Sequence, residues 1–72
     1  MARVPVKSSD LSHVEYDRDA GTLRVWFHSG GTYEYHGVPE STHGGLMGAA
    51  SKGKYFHRHI KHNDEYECKK LG

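Results

Sequence analysis

The sequence has little of several features that define common classes of small protein. Its 72 residues contain one cysteine, Cys68, so no internal disulfide can form, which argues against a secreted, disulfide-held scaffold. No apolar run approaches the length of a membrane helix, and the N-terminus has no apolar segment of signal-peptide length. Ten Lys and Arg face nine Asp and Glu, so the net charge identifies no partner. We expect a soluble cytoplasmic protein that does not associate with membranes.

The short chain also limits what the protein can do. We predict one domain over residues 1–72, with its core at about 6–62 and a flexible tail at 63–72. A domain of this size can present a binding surface, but it has little room for the enclosed cleft that catalysis needs. No carboxylate pair and no nucleophile next to a base is evident in the sequence. We therefore expect no enzyme, no cofactor and no small-molecule substrate.

Alternation of apolar and polar residues predicts a first hairpin. The segments "LSHVEYD" (11–17) and "TLRVWFH" (22–28) read as strands, and the turn between them ends in Gly21, which suits a positive φ. A loop at 18–21 places Tyr16 opposite Leu23, so the apolar sides of both strands coincide. The shared apolar face would carry Val14, Tyr16, Leu23, Val25 and Phe27.

A second hairpin turns at "SGG" (29–31), and its register decides where Tyr33 and Tyr35 point. A two-residue loop would pair Phe27 with Glu34 and bury a carboxylate on the apolar face. A three-residue loop, with a glycine in the left-handed bulge position, pairs Phe27 with Tyr33 instead. Burying an unpaired charge costs several kcal/mol, more than the preference among hairpin loops. We therefore predict that both tyrosines belong to the core.

Two short helices are predicted after Pro39. The first, "ESTHGGLMGAAS" (40–51), contains three glycines that lower its helix propensity, so packing on the sheet would have to stabilise it. The second is "KYFHRHIKH" (54–62). The inward residues would be His43, Leu46, Met47, Ala50, Phe56 and Ile60. The prediction is an α+β fold with a three-stranded antiparallel meander and two helices packed on one face.

Cations on the second helix predict a phosphate-binding surface. Lys54, Arg58 and Lys61 share one helical side, with Lys52 beside them, and such a line can displace the counterions of a nucleic acid. Surface helices also carry lysine and arginine for solubility alone, which is the alternative interpretation.

The opposite sheet face offers a second candidate surface. Trp26 could stack an unpaired base there, flanked by Arg24 and His28. Alternatively, the indole packs under the N-terminal arm or against a dimer partner.

The late histidines could supply metal ligands together with Cys68. On a helix, however, His57 lies about 200° from His59, so the imidazoles of His57, His59 and His62 do not converge on one ion. We therefore predict no metal site, with His59 packed against the core.

Two motifs together resemble the KTSC domain, a module found at the C-terminus of some lysyl-tRNA synthetases and in small stand-alone bacterial proteins. The first is the Y-x-Y pair at Tyr33 and Tyr35, followed by "GVP". The second is an S-x-G-x-Y-F run that begins at Ser51. The resemblance extends from about Val6 to Ile60 and implies RNA binding by association with a tRNA-handling enzyme.

The leading hypothesis is therefore non-catalytic binding of nucleic acid, RNA or DNA, through the cationic helix. The alternative is a protein-interaction or homodimerisation module that uses the exposed sheet face or an open strand edge such as 11–17.

Overall fold

A five-stranded antiparallel sheet forms the protein, with the helices packed on one face. The computed structural model describes residues 3–72, so the first two residues of the predicted 1–72 domain lie outside the described part. The strands are β1 (Val4–Pro5), β2 (Leu11–Asp17), β3 (Thr22–Phe27), β4 (Thr32–His36) and β5 (Glu67–Lys70). The helices are α1 (Glu40–Gly48) and α2 (Lys52–Phe56), and α2 continues into a π-helical turn, the π segment (His57–Lys61). The α+β class is confirmed, but the prediction of three strands is wrong.

The first hairpin has the predicted register. Tyr16 pairs with Leu23, and Gly21 closes the turn with a φ of 67°. The Asp17 carboxylate accepts the backbone N–H groups of Asp19 and Ala20, at 3.1 and 3.2 Å, which fixes the turn. Local turn chemistry and the apolar pattern therefore specify the same pairing.

The loop of the second hairpin has the predicted length of three residues, but it begins one residue earlier than predicted. The Phe27 N–H donates to the Gly31 carbonyl at 2.9 Å, and the Gly30 N–H donates to the Phe27 carbonyl at 3.0 Å. The loop is therefore 28–30, with Gly30 at a φ of 108° in the bulge position.

This displacement changes the partners of both tyrosines but not their face. Tyr33 pairs with Val25, and Tyr35 pairs with Leu23, so the predicted pairing of Phe27 with Tyr33 is wrong. Moving a loop by one residue moves each partner by two positions, and side chains two apart share a face. Both rings consequently point to the helix-covered inner face, where Tyr35 is buried and Tyr33 is partly buried.

Two strands absent from the prediction extend the sheet at its edges. β1 pairs with β2, and β5 pairs with β4, placing Cys68 opposite Tyr35. The Leu71 N–H continues this pairing by donating to the Thr32 carbonyl at 2.8 Å. Within the predicted tail, Glu67–Lys70 form a strand, because backbone pairing with β4 satisfies a segment that has no apolar period of its own.

The core lies between the inner face of the sheet and the helices. Leu46, Phe56 and Ile60 supply the fully buried helical side chains, as predicted. Ala50 does not, because α1 ends at Gly48 and Ala50 is exposed beyond it. His59 is exposed as well, which corrects its predicted place in the core. The buried hydrophobic residues of the core are Leu11, Val14, Tyr16, Leu23, Val25, Tyr35, Val38, Leu46, Phe56 and Ile60.

His43 closes one end of this core. Its ring stacks on Tyr16, with ring centroids 4.4 Å apart and planes 15° from parallel. The Tyr16 hydroxyl in turn donates to the Val38 carbonyl at 2.7 Å. Burial lowers the pKa of the His43 imidazole, and the Glu40 carboxylate opposes this to a smaller extent.

This histidine predicts a pH-dependent stability. Below a pH of about 6.5, the unfolded chain binds a proton at His43 that the folded chain resists, so the free energy of unfolding should fall with decreasing pH. His43→Phe should reduce that slope, whereas the exposed His62→Gln should retain it. Urea denaturation at a series of pH values from 7 down to 5 measures all three proteins. Equal slopes for wild type and His43→Phe would contradict the assignment.

Candidate nucleic-acid interface

Arg24 lies on the outer face of the sheet, which is the side without helices. Its guanidinium, predicted to contribute to a binding surface, forms ion pairs there. Arg24 Nη2 lies 2.6 Å from Glu34 Oε2, and Arg24 Nη1 lies 3.0 Å from Glu15 Oε1. The hydrogen bonds from Arg24 hold the pKa of the Glu34 carboxyl below its ordinary value, against the opposing effect of burial. Two carboxylates thus neutralise this guanidinium, which leaves it poorly suited to a phosphate.

Trp26 and His28, predicted to share a surface, lie in different places. The Trp26 indole is partly buried on the outer face, with the Arg3 guanidinium carbon 5.2 Å from the ring centroid. His28 belongs to the β3–β4 turn, where its Nε2 lies 3.0 Å from the Ser8 carbonyl oxygen. The contact with Arg3 matches the interpretation in which the N-terminal arm covers the indole.

The cations predicted to share one side of the second helix, which we call the helical stripe, also lie on different surfaces. Lys54, Arg58 and Lys61 are all exposed, but Arg58 borders a hollow that contains Asp64 and Glu65. Lys61 faces a different hollow, because hydrogen bonds in the π segment run five residues back and alter the helical spacing. Lys52 donates from Nζ to the Ala49 carbonyl at 3.3 Å. Arg58 and Lys61 therefore border different hollows.

A cleft opens on the inner face between the β3–β4 turn and the π segment. We call it the inner cleft, and its volume of about 500 Å³ falls within the range of small-ligand pockets. Its lining residues are Ser9, Asp10, Phe27, His28, Ser29, Tyr33, Tyr35, His57, Lys61 and Cys68. Lys61 and His28 of the predicted surfaces therefore meet here.

Aromatic rings form the floor of the inner cleft. Phe27 meets Tyr33 edge to face, with centroids 5.5 Å apart and planes at 83°. The buried Phe56 supports them from beneath, with centroid distances of 5.4 Å to Phe27 and 5.5 Å to Tyr35. Since these rings brace one another, the floor is a preorganised apolar surface.

Polar groups of both signs form the rim. Lys61 and His57 come from the π segment, and Asp10 Oδ2 lies 3.6 Å from His57 Nε2. Lys70 pairs with Tyr33 in the register of β4 and β5, so its side chain leaves the sheet on the same face, but it is not among the residues that line the cleft. Both tyrosines of the Y-x-Y pair were predicted to be core residues only, so Tyr33 and Asp10 were missed as residues of this site.

The comparisons with known proteins agree with this architecture. Residues 7–66 match the KTSC domain family. The chain belongs to the KTSC domain family. A crystal structure of a KTSC domain protein from Yersinia pestis is 42% identical, with a TM-score of 0.90 over 99% of this chain and 97% of that one.

Two kinds of curated relative share the KTSC sequence. A lysine–tRNA ligase of Trichormus variabilis is 39% identical over 61 residues, which cover 85% of this chain but 11% of the ligase. An uncharacterized protein of Stutzerimonas stutzeri is 38% identical over 85% of this chain and 86% of its own length. The match to this chain thus spans about a tenth of the ligase and most of the smaller protein.

Within the KTSC domain, Tyr35 is the buried member of the Y-x-Y pair. Burial raises the pKa of its phenol far above the ordinary value, and the adjacent Cys68 thiol raises it further. The phenol therefore stays protonated near neutral pH. Tyr33, which is only partly buried, is the member that can offer its ring to the inner cleft.

Two further observations concern metal binding and membrane-spanning helices. Within residues 3–72, no three His, Cys, Asp or Glu side chains gather closely enough to hold a metal ion. No helix in that same part of the chain is both long and apolar enough to cross a bilayer.

Proposed function

We propose that this KTSC domain is a non-catalytic module that binds single-stranded nucleic acid in the inner cleft. The observation that carries the proposal is the meeting of an aromatic floor with Lys61 in one cleft. Aromatic rings stack unpaired bases, and cations beside them contact the flanking phosphates. In this proposal the interface lies in the inner cleft, and Lys61 is retained from the predicted helical stripe.

The names of the ligase relatives favour RNA over DNA as the natural partner. A lysine–tRNA ligase acts on tRNA, and the matching region of such an enzyme is similar to this chain. The match covers 11% of the ligase, so no synthetase activity is transferred with it. The lining of the cleft also supports a binding role. Among the described residues it contains one carboxylate, that of Asp10, so it has no pair of carboxyl groups in which one could act as the acid and the other as the base.

The alternative, association through strand edges, has less support. β1 is two residues long and contains Pro5, and β5 carries Lys69 and Lys70. Short strands, proline and lysine are features that prevent edge-to-edge pairing. Sedimentation of the protein alone would detect a homodimer, and a stable dimer would favour this alternative.

Charge reversal at Lys61 tests the proposal. Lys61→Glu should weaken binding of a labelled uridine hexamer by about tenfold or more, because it places a negative charge beside the bound phosphates. Arg58→Glu is the matched control, since it makes the same change in net charge outside the inner cleft. Fluorescence anisotropy at several salt concentrations gives both affinities and the salt slope.

The control separates the inner cleft from the helical stripe. We expect Arg58→Glu to weaken binding of the hexamer by less than about threefold, because salt screens the field of a single charge outside the cleft. Equal losses in both variants would place the interface on the stripe instead. An affinity independent of salt, or no binding of RNA or DNA hexamers at low salt, would refute the proposal.

A further inference from the structure

We infer that the inner cleft selects guanine, and that Asp10 is the residue that determines this specificity. The inference rests on the proposed function, because it concerns the base that the cleft would hold. It follows from the position of one carboxylate, from the glycine that makes room for it and from the donors that each base presents.

The backbone of Asp10 is held at the edge of the inner cleft. Its N–H donates to Ser8 Oγ at 3.2 Å, and its carbonyl accepts the N–H of His28 at 3.0 Å. These bonds join the segment before β2 to the β3–β4 turn. The carboxylate therefore projects from an anchored backbone toward the π segment, where it lies 3.6 Å from His57.

Gly53 provides the space that this carboxylate occupies. A Cβ atom built on Gly53 would lie 2.8 Å from Asp10 Oδ2, closer than such atoms approach in proteins. Gly53 is buried, and its φ is not in the left-handed region, so a side chain at this position would have to displace the Asp10 carboxylate. The glycine of the S-x-G-x-Y-F run and Asp10 thus form one fitted arrangement.

The Asp10 carboxylate retains capacity to bind a ligand. About half of its side chain is exposed, at 52%, and the His57 contact of 3.6 Å is longer than a hydrogen bond. An ionised carboxylate is an acceptor only, with two oxygens that can receive two parallel donors. A ligand with two adjacent N–H donors would therefore complement it.

Guanine is the base that presents such a pair. Its N1–H and N2 amino group lie side by side on the Watson–Crick edge, whereas adenine, cytosine and uracil place an acceptor next to each donor there. Bases in single strands are read on this edge while their rings stack on aromatic side chains. With the base on the Tyr33 side of the floor, Asp10 on the rim is the acceptor that can meet the edge.

The unmodified protein gives the first test. Affinities are measured for RNA hexamers UUUXUU, in which X is guanine, inosine, adenine, cytosine or uracil, with a deoxy set in parallel. A bidentate contact supports discrimination of about tenfold, so guanine should bind at least that much more tightly than adenine, cytosine or uracil. Inosine lacks the N2 amino group and should fall between guanine and the others.

Two variants assign the preference to Asp10. Asp10→Asn keeps the shape but replaces one acceptor with a donor, so the guanine preference should fall to about twofold or less. Gly53→Ala displaces the carboxylate without removing it and should also reduce the preference. Asp19→Asn, in the turn at the other end of the β2–β3 hairpin, should leave the preference unchanged.

The outcomes separate this inference from the proposed function. Tight, salt-dependent binding that is equal for all five hexamers overturns guanine selection and leaves the proposed function standing. A guanine preference that survives Asp10→Asn removes Asp10 as its cause. No binding of any RNA or DNA hexamer refutes both.

Discussion

Replacing Phe56 with alanine is expected to leave the domain mostly unfolded at room temperature. The ring is fully buried and contacts Phe27, Tyr35 and His57, so it joins the sheet to α2 and the π segment. Truncating such a side chain costs about 3–5 kcal/mol through lost burial and the cavity that remains. A single core of this size supplies a net stability of about the same magnitude. Circular dichroism and urea denaturation measure the loss.

Two further substitutions show whether the effect of Phe56→Ala arises from its burial. Phe56→Leu keeps most of the apolar volume and should cost clearly less than Phe56→Ala. Phe27→Ala removes a ring that is only partly buried, so it should also cost less. If Phe56→Ala lowers the free energy of unfolding by no more than about 1 kcal/mol, Phe56 is not the residue that joins the two layers.

Residues close together in sequence made the first hairpin predictable. The turn chemistry of 18–21 and the alternation of both strands agree on one register, and the structure has that register. The face of Tyr33 and Tyr35 was also predictable, because the cost of burying Glu34 is independent of which three residues form the loop. The exact pairing was not, since adjacent three-residue loops in "HSGG" both provide a glycine for the bulge.

The sequence did contain a signal about Arg24 that was not used. With Tyr16 opposite Leu23, Glu15 must lie opposite Arg24, so the first hairpin alone predicts one ion pair. The second partner, Glu34, required the correct second register, because the predicted loop placed Trp26 opposite it. Because the predicted loop was displaced by one residue, the ion pair between Arg24 and Glu34 was missed. Arg24 was therefore predicted to contribute to a binding surface.

The inner cleft could not be assembled from sequence patterns. Its walls come from the segment before β2, the β3–β4 turn, the π segment and β5, which are far apart along the chain. The position of Lys61 depends on a π-helical turn, which the 3.6-residue period does not anticipate. Local periodicity therefore identified the side of each helix and strand that faces the core. It could not show which helices, strands and turns come together around the inner cleft.

Strand β5 is the largest difference between the prediction and the structure, and its removal is expected to have a large effect. Ending the chain at Tyr66 deletes the pairing with β4 and uncovers the edge beside Tyr35. Net stabilisation of about 1 kcal/mol per backbone hydrogen bond implies a loss of about 2 kcal/mol or more. For a domain of this size, that corresponds to a fall in melting temperature on the order of 10 °C.

Thermal unfolding of the full and shortened chains distinguishes a paired strand from a fraying tail. Glu67→Gln is the control, because it changes an exposed side chain while keeping the backbone pairing, and it should cost less than about 0.5 kcal/mol. The shortened chain should also bind the uridine hexamer more weakly at temperatures where it is folded, since it lacks Cys68, which lines the inner cleft. Identical melting temperatures for the two chains would mean that β5 contributes nothing to the sheet. Equal affinities would mean that β5 is not part of the binding surface.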